Sequence, residues 1–313
     1  MVAQKIIIKN PTGLHLRPAG NLCKEAMKFK SKVTFIYDEK NVANAKSVLS
    51  VLGACIKSGD EIELICNGED ESEALEHLIQ YIKETGIHGE TYMEKLLTIV
   101  VPAYNVEKYI KNCLDSFIDL SVLRSLEILI VDDGSTDSTA SLAHTYEQKY
   151  PYSFKVLSKE NGGHGSTINY AIPRATGKYF KVVDGDDWLD KSLLPQFVQL
   201  LKHTHSDVIS NDFNLVDDRT KKVTKRRKAV SNSYHYNREW GFAEAVMDPL
   251  ITIHSMTIRT DVLQKNDIRV DEHCFYEDQE YILYPIPYCT SITFSPLPLY
   301  QYRLGRSGQS VDI

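Results

Sequence analysis

No C-x-x-C pair occurs in the 313 residues, and the six cysteines (Cys23, Cys55, Cys66, Cys113, Cys274 and Cys289) are widely scattered. That spacing argues against a zinc site or a disulfide framework and fits a reducing compartment. No window approaches the roughly 18 apolar residues of a membrane span, and the start of the chain lacks the apolar stretch of a signal peptide. An excess of positive charge is missing too. The net charge of -6 argues against general nucleic-acid binding. The expected location is the cytoplasm, with a peripheral position at the inner face of the membrane left open.

What remains is an ordinary globular composition, 42% hydrophobic and 25% charged, long enough for two or three domains. One local exception to the acidic balance is Lys221-Lys222-Val223-Thr224-Lys225-Arg226-Arg227-Lys228. It reads as a solvated hairpin or loop, or as a contact for anionic lipid or substrate phosphate.

The first module spans residues 1–88. Strands are expected at residues 5–8, 33–37 and 61–66, helices at 17–28 and 71–85, and a brief helix from Ser47 to about Ala54. That order predicts a small open-faced α/β sandwich. His15 follows Gly13, precedes Pro18, and is expected where a helix begins. Unpaired N–H groups there favour an anion, and Arg17 adds a fork for phosphate oxygens. A neutral imidazole nitrogen is a competent nucleophile for a phosphoryl group.

The string Asn10-Pro11-Thr12-Gly13-Leu14-His15-Leu16-Arg17-Pro18-Ala19 resembles the active-site signature of HPr, the histidine phosphocarrier of the sugar phosphotransferase system. Asn44-Ala45-Lys46-Ser47-Val48-Leu49 resembles that family's regulatory serine segment. The resemblance implies phosphoryl acceptance on His15 with Arg17 assisting, and enzyme I as the phosphorylating partner. In Gram-positive relatives it also implies phosphorylation of Ser47 by HPr kinase. As residue chemistry alone, Ser47 is also a plain helix cap.

A connector at residues 89–95 leads to a second module, residues 96–313. Leu96-Leu97-Thr98-Ile99-Val100-Val101 ends at Pro102; apolar runs at 126–131 and 179–183 end at Asp132 and Asp184. Runs without alternation predict strands buried on both faces, as in a mostly parallel sheet with helical crossovers, here expected at 107–117, 138–149 and 166–175. In such sheets ligands bind beyond the carboxyl ends of the strands. Pro102, Tyr104, Asn105, Asp132, Asp133, Asp184 and Asp186 are therefore expected on one edge. Asp132 or Asp133 can accept from a base N–H or a ribose hydroxyl. Asp184 and Asp186 can hold a divalent cation that neutralises a diphosphate.

The stretch 96–189 resembles the nucleotide-binding half of a family 2 glycosyltransferase with the GT-A fold. Matching pieces include Val101-Pro102-Ala103-Tyr104-Asn105, the aspartates at 132–137, Asn161-Gly162-Gly163 and Asp184-Gly185-Asp186-Asp187-Trp188. The resemblance implies that Tyr104 and Asp133 contact the base, that Asp184 lies near the ribose, and that Asp186 binds manganese or magnesium. Phe275-Tyr276-Glu277-Asp278 resembles the family's acidic pair, which makes Asp278 the base that deprotonates the acceptor hydroxyl and Glu277 its support. Tyr300-Gln301-Tyr302-Arg303-Leu304-Gly305-Arg306-Ser307 resembles the mobile segment that closes over the diphosphate, with Arg303 and Arg306 as clamps. The chain departs from the family at Ile168 and Ala171, where arginine and glycine are usual, and at His164, which either supplies a different diphosphate or sugar contact or is a plain helix-entry residue.

The expected activity is inverting, metal-dependent transfer of a sugar from a nucleotide donor, UDP-linked by expectation, to a glycan or lipid-linked acceptor. The alternative is a phosphocarrier or regulatory protein with an incomplete transferase half. Met93 would also serve as the start of an independent transferase, so a fusion of adjacent genes is a third expectation.

Overall fold

The structure, a computed structural model, describes residues 1–8, 13–38, 40–85, 95–231, 235–245 and 251–306. Pro11, Thr12, most of the connector, Ser307 and the side chain of Arg17 lie outside the described residues. The chain divides into two compact units, Met1–Met93 and Glu94–Ile313.

In the first unit, β1 (Val2–Ile7), β2 (Lys32–Tyr37), β3 (Asn41–Asn44) and β4 (Glu61–Asn67) form an antiparallel sheet in the order β1-β4-β2-β3. Alternation decides which face is covered. Val33 and Phe35 of β2 and Ile62, Leu64 and Cys66 of β4 are buried, while their neighbours point away from the core. Three helices complete that core: α1 (Leu16–Ala26), α2 (Val48–Gly53) and α3 (Glu71–Thr85). Ala19, Leu22, Cys23 and Ala26 of α1 meet Ala74, Leu78, Ile79 and Ile82 of α3 at helical spacing, while Thr34, Ile36, Glu63 and Ile65 on the other sheet face are half-exposed. The strand β3 is too short and polar to have been legible in the sequence.

The second unit holds a ten-stranded sheet whose path is β12-β14-β10-β13-β8-β5-β6-β7, with β11 on β10 and β9 on β14. Its first half is β5 (Leu97–Ala103), α4 (Ile110–Ser116), β6 (Leu126–Asp132), α5 (Thr139–Lys149), β7 (Phe154–Ser158), α6 (His164–Ala171) and β8 (Tyr179–Val182). These four strands pair in parallel. Their unbroken apolar runs follow from burial on both faces. Leu97, Ile99, Val101, Leu126, Ile128 and Ile130 join a core closed by α4 and α5, whereas Val100, Leu129 and Val131 join the opposite core with α6.

The second half adds β9 (Trp188–Leu189), α7 (Leu194–His203), β10 (Val208–Asp217), β11 (Val223–Arg227), β12 (Glu239–Gly241), α8 (Phe242–Ala245), β13 (Met256–Arg259), α9 (Thr260–Lys265), α10 (Glu277–Leu283) and β14 (Ser291–Leu304). Here the sheet turns mixed: β13 runs antiparallel to both β8 and β10, and β14 lies parallel to β10.

Two helices differ from their sequence expectation for local reasons. Residues 107–109 form a turn ahead of α4: Tyr109 N–H and Ile110 N–H both donate to the Val106 carbonyl (2.8 and 2.9 Å), and the regular ladder begins where Cys113 N–H donates to Tyr109 (3.2 Å). The run expected to reach residue 175 ends as α6 at Ala171 and a 3₁₀ turn at Ile172–Arg174, because Pro173 has no N–H to continue the ladder. Among the described residues, no helix is long and apolar enough to cross a membrane.

Candidate active site

Parallel strands β5, β6 and β8 all deliver their carboxyl ends to one edge, and acidic residues follow two of them. Tyr104 is 51% exposed just beyond β5, and Asn105 turns the chain there with φ +52°. Its Oδ1 accepts from Thr136 N–H at 2.8 Å, fastening the turn after β5 to the loop after β6. Pro102 is buried within β5, and its carbonyl accepts from Gly185 N–H at 3.0 Å.

The two aspartates after Val131 have different surroundings. Asp132 Oδ1 accepts from Ser135 N–H at 3.2 Å. Asp133, 2% exposed, accepts from Lys159 Nζ (2.7 Å), Gly162 N–H (2.9 Å) and Gly163 N–H (2.9 Å). Asp133 thus builds the loop that starts α6.

The centre of the edge is a carboxylate cluster after β8. Asp184 Oδ1 lies 2.8 Å from His164 Nε2, and His164 Nδ1 lies 2.8 Å from Glu277 Oε1. The second contact is an ion pair. Burial disfavours the imidazolium, but the two carboxylates outweigh it and hold the His164 pKa up to about 10. In turn, burial opposes the charged forms of Asp184 and Glu277, yet His164 holds both below their ordinary values. Gly165 makes this bridge possible. A Cβ at Gly165 would sit 2.2 Å from the Asp271 carbonyl oxygen and 3.2 Å from Glu277 Cγ, so only glycine lets α6 approach the segment that carries Glu277.

Asp187, 1% exposed, accepts from the Tyr300 hydroxyl at 2.7 Å and from Arg303 N–H at 2.7 Å. Burial, with Asp186 and Asp184 adding like charge, pushes its pKa well above the carboxylate range. Asp184, Asp187 and His254 each bring one ligand atom within 4.8 Å of the others. Burial holds the His254 imidazole neutral, down to about 4, against the pull of Asp184. Two carboxylates that repel one another beside a neutral imidazole fit a hard divalent cation. Asp186, the expected metal ligand, is ion-paired through Oδ2 to Arg306 Nε and lies outside this trio. Burial and Asp184 raise its pKa despite that partner.

Arg303, expected as a mobile clamp, sits within β14 and is 4% exposed. Its Nε donates to the Asp186 carbonyl (2.6 Å), its Nη1 meets Asp218 (2.6 Å), and its guanidinium lies 4.8 Å from the Trp188 ring centre. Residues 300–304 are therefore sheet, not a free tail, because β14 is paired with both β10 and β9. Arg306, just past the strand, is the more exposed of the two arginines. Asp278 sits half-buried in the first turn of α10, with Gln279 Nε2 at 3.3 Å from its carboxylate.

Sequence reasoning missed His254 and Lys181. The Lys181 ammonium is fully buried, donates to the carbonyls of His254 (2.9 Å) and Met256 (3.1 Å), and is pulled down to about 7 by burial. A lysine inside an otherwise apolar strand was the one available signal.

In the first unit, His15 is the exposed N-cap residue of α1, and its carbonyl accepts from Ala19 N–H at 2.9 Å. The loop before it crosses the chain at Ile56 so closely that a Cβ on Gly13 (φ +69°) would lie 2.1 Å from the Ile56 carbonyl oxygen. Ser47 caps α2 by accepting from Ser50 N–H at 3.4 Å, and Lys46 Nζ donates to the Phe29 carbonyl at 2.6 Å.

A family model described as glycosyl transferase family 2 matches residues 98–265, and one described as the PTS HPr component phosphorylation site matches residues 2–84. The uncharacterized glycosyltransferase EpsJ of Bacillus subtilis (strain 168) is 31% identical over 146 residues, which cover 47% of this chain and 40% of EpsJ. The poly(ribitol-phosphate) beta-N-acetylglucosaminyltransferase TarS of Staphylococcus aureus (strain Mu50) is 34% identical over 113 residues, covering 36% of this chain and 20% of TarS. The crystal structure of S. aureus TarS in complex with UDP-GlcNAc matches with a TM-score of 0.56 and 26% identity, over 68% of this chain and 60% of that one. The matched residues thus span less than two thirds of the length of each of these relatives.

Proposed function

We propose, from the premise that this chain belongs to glycosyl transferase family 2 and carries an HPr domain at residues 2–84, that its second unit transfers a sugar from a nucleotide donor to a glycan acceptor with inversion. The observation that carries this reading is the convergence of Asp184, Asp187 and His254 at the edge where β5, β6 and β8 end. The UDP-GlcNAc complex of TarS supports a UDP-linked donor.

Tyr104, exposed beside the Asn105 turn, stacks on the base, and Asp132 accepts from base or ribose. Asp133 acts on the same pocket by fixing Gly162 and Gly163. Asp184, Asp187 and His254 would hold a divalent cation, with Asp186 beside them. Manganese or magnesium bound there supplies charge neutralisation for a diphosphate leaving group. Arg306 turns from Asp186 to the diphosphate, while Arg303 holds the Asp186 backbone in place. Asp278 takes the proton of the acceptor hydroxyl as its oxygen attacks the anomeric carbon opposite the departing nucleoside diphosphate. One C–O bond forms and one breaks, and the configuration inverts. His164 is a positioning residue: its imidazolium ties Asp184 on the donor side to Glu277, the neighbour of Asp278.

In the first unit, His15 accepts a phosphoryl group from enzyme I. The first-turn N–H groups of α1 lack intrahelical acceptors, and a helix start of this kind favours an anion. Arg17 assists, and Ser47 takes a regulatory phosphate from HPr kinase. Titrating UDP into the full chain tests the first claim. Binding that requires manganese and is lost in Asp184→Asn is expected; equal binding without metal refutes it.

A further inference from the structure

The strand β11 plays no part in the chemistry above, yet every one of its five residues is exposed and three are basic. Its register against β10 sorts those charges by face. Arg227 lies opposite Phe213 and Lys225 opposite Leu215, while Arg226 lies opposite Asn214. Arg226 is neutralised on its own face by Asp212, whose carboxylate it meets at 2.9 Å through Nε. Among the described residues, Lys225 and Arg227 have no carboxylate partner.

Beside them is a cavity of about 370 Å³ lined by Phe213, Leu215, Arg227, Thr252, His254, Tyr302 and Leu304. It is aromatic on one side: the His254 ring lies 4.2 Å from Tyr302 and stacks on Phe213 at 5.3 Å. The same His254 stands in the trio with Asp184 and Asp187, so the cavity adjoins the locus at which the donor's sugar is proposed to react. A concave wall of rings suits the C–H faces of a polyol or sugar, and a guanidinium at its rim suits a phosphodiester. A membrane surface would engage the exposed residues of β11, Val223 among them, without reaching the recessed rings.

We propose that this cavity, with Arg227 at its rim and Lys225 next along the same face of β11, is the acceptor subsite and that the acceptor is a phosphodiester-linked polyol or sugar chain. The inference rests on the transferase reading. The polyol packs on the half-exposed Tyr302, which His254 and the buried Phe213 back, one phosphate is held by Arg227, and Lys225 faces the next along the chain. This assigns Lys225 and Arg227, within the basic run of residues 221–228, a role in acceptor choice.

Direct binding to the full chain tests it, using a short synthetic oligomer of glycerol phosphate, a neutral dextran oligomer and phosphatidylglycerol vesicles as probes. The glycerol phosphate oligomer is expected to bind and the dextran oligomer not to. Arg227→Gln should weaken that binding roughly tenfold, Lys225→Gln less, and added salt should weaken it further. Lys228→Gln, outside the cavity, should leave it within about twofold. No binding of the soluble oligomer, unchanged binding by Arg227→Gln, or binding to the vesicles alone overturns the proposal. Manganese-dependent UDP binding by the same samples is the separate readout. Its retention in Arg227→Gln locates the loss in the acceptor subsite, and its absence from the unsubstituted chain overturns the transferase reading and the acceptor role with it.

Discussion

His15 and Asp184 both stand where a regular element gives way to a polar turn, yet their surroundings are opposite. His15 is exposed, its side chain caps nothing, and what prepares it is backbone: a helix start, and a glycine squeezed against Ile56. Asp184 is half-buried in a web that includes His164, Tyr300 and, through His164, Glu277. The difference follows from the job proposed for each. A phosphocarrier must present its nucleophile to successive partner proteins, so it gains from access. A transferase must hold several groups in fixed relation around a leaving group, so it gains from mutual restraint.

The sharpest way to break this comparison is at the nucleophiles. His15→Ala should lose all label transfer from phosphoenolpyruvate, while Ser47→Ala keeps it; labelling of His15→Ala at the normal rate would contradict the account. Asp278→Asn should cut sugar transfer by about 10²–10⁴-fold, the usual contribution of a general base, with manganese-dependent UDP affinity nearly unchanged by calorimetry.

Smaller effects probe the restraint itself. Gly165→Ala forces a methyl into the Asp271 carbonyl and should destabilise the second unit by about 1–3 kcal/mol, read by chemical denaturation. His164 supplies a pH signature. Its folded pKa of about 10 lies above the ordinary histidine value, so its stabilising charge is fully present below about pH 6.5. That contribution is lost as pH rises toward the folded value. Thermal stability should therefore fall by roughly 2–4 °C per kcal/mol lost across that alkaline window, and His164→Gln should flatten the dependence. An unchanged slope in the variant would remove His164 from the network. For the first unit, Ser47→Ala should cost about 1 kcal/mol or less as a lost N-cap, since the capping bond is long at 3.4 Å.

The comparison also explains what could be read in advance. The parallel core was legible because β5 and β6 are apolar on both faces, and the acidic residues that follow β6 and β8 mark the strand ends. His15 was legible because glycine, histidine and proline punctuate one short loop. His254 was not, since nothing in Thr252-Ile253-His254-Ser255 announces a site. Only the pairing of β13 with β10 and β8 brings it over Tyr300 and Tyr302. Arg303 was expected in a mobile segment because residues 300–307 resemble one, and Pro296 and Pro298 stand just before them. Both prolines fall where the β14 register against β10 shifts, between Asn211 and Phe213, so the ladder loses no bond to them and resumes at Tyr300. Asp133 looked like a ligand contact from its motif, but its carboxylate is occupied by Lys159 and two glycine amides.

The two sites proposed on one chain make a crossed prediction, and manganese-dependent release of UDP from UDP-sugars by the full chain tests it most directly. The account predicts that His15→Ala releases UDP at the unsubstituted rate while Asp278→Asn releases almost none. Full release by Asp278→Asn, or a matching loss in His15→Ala, would contradict it.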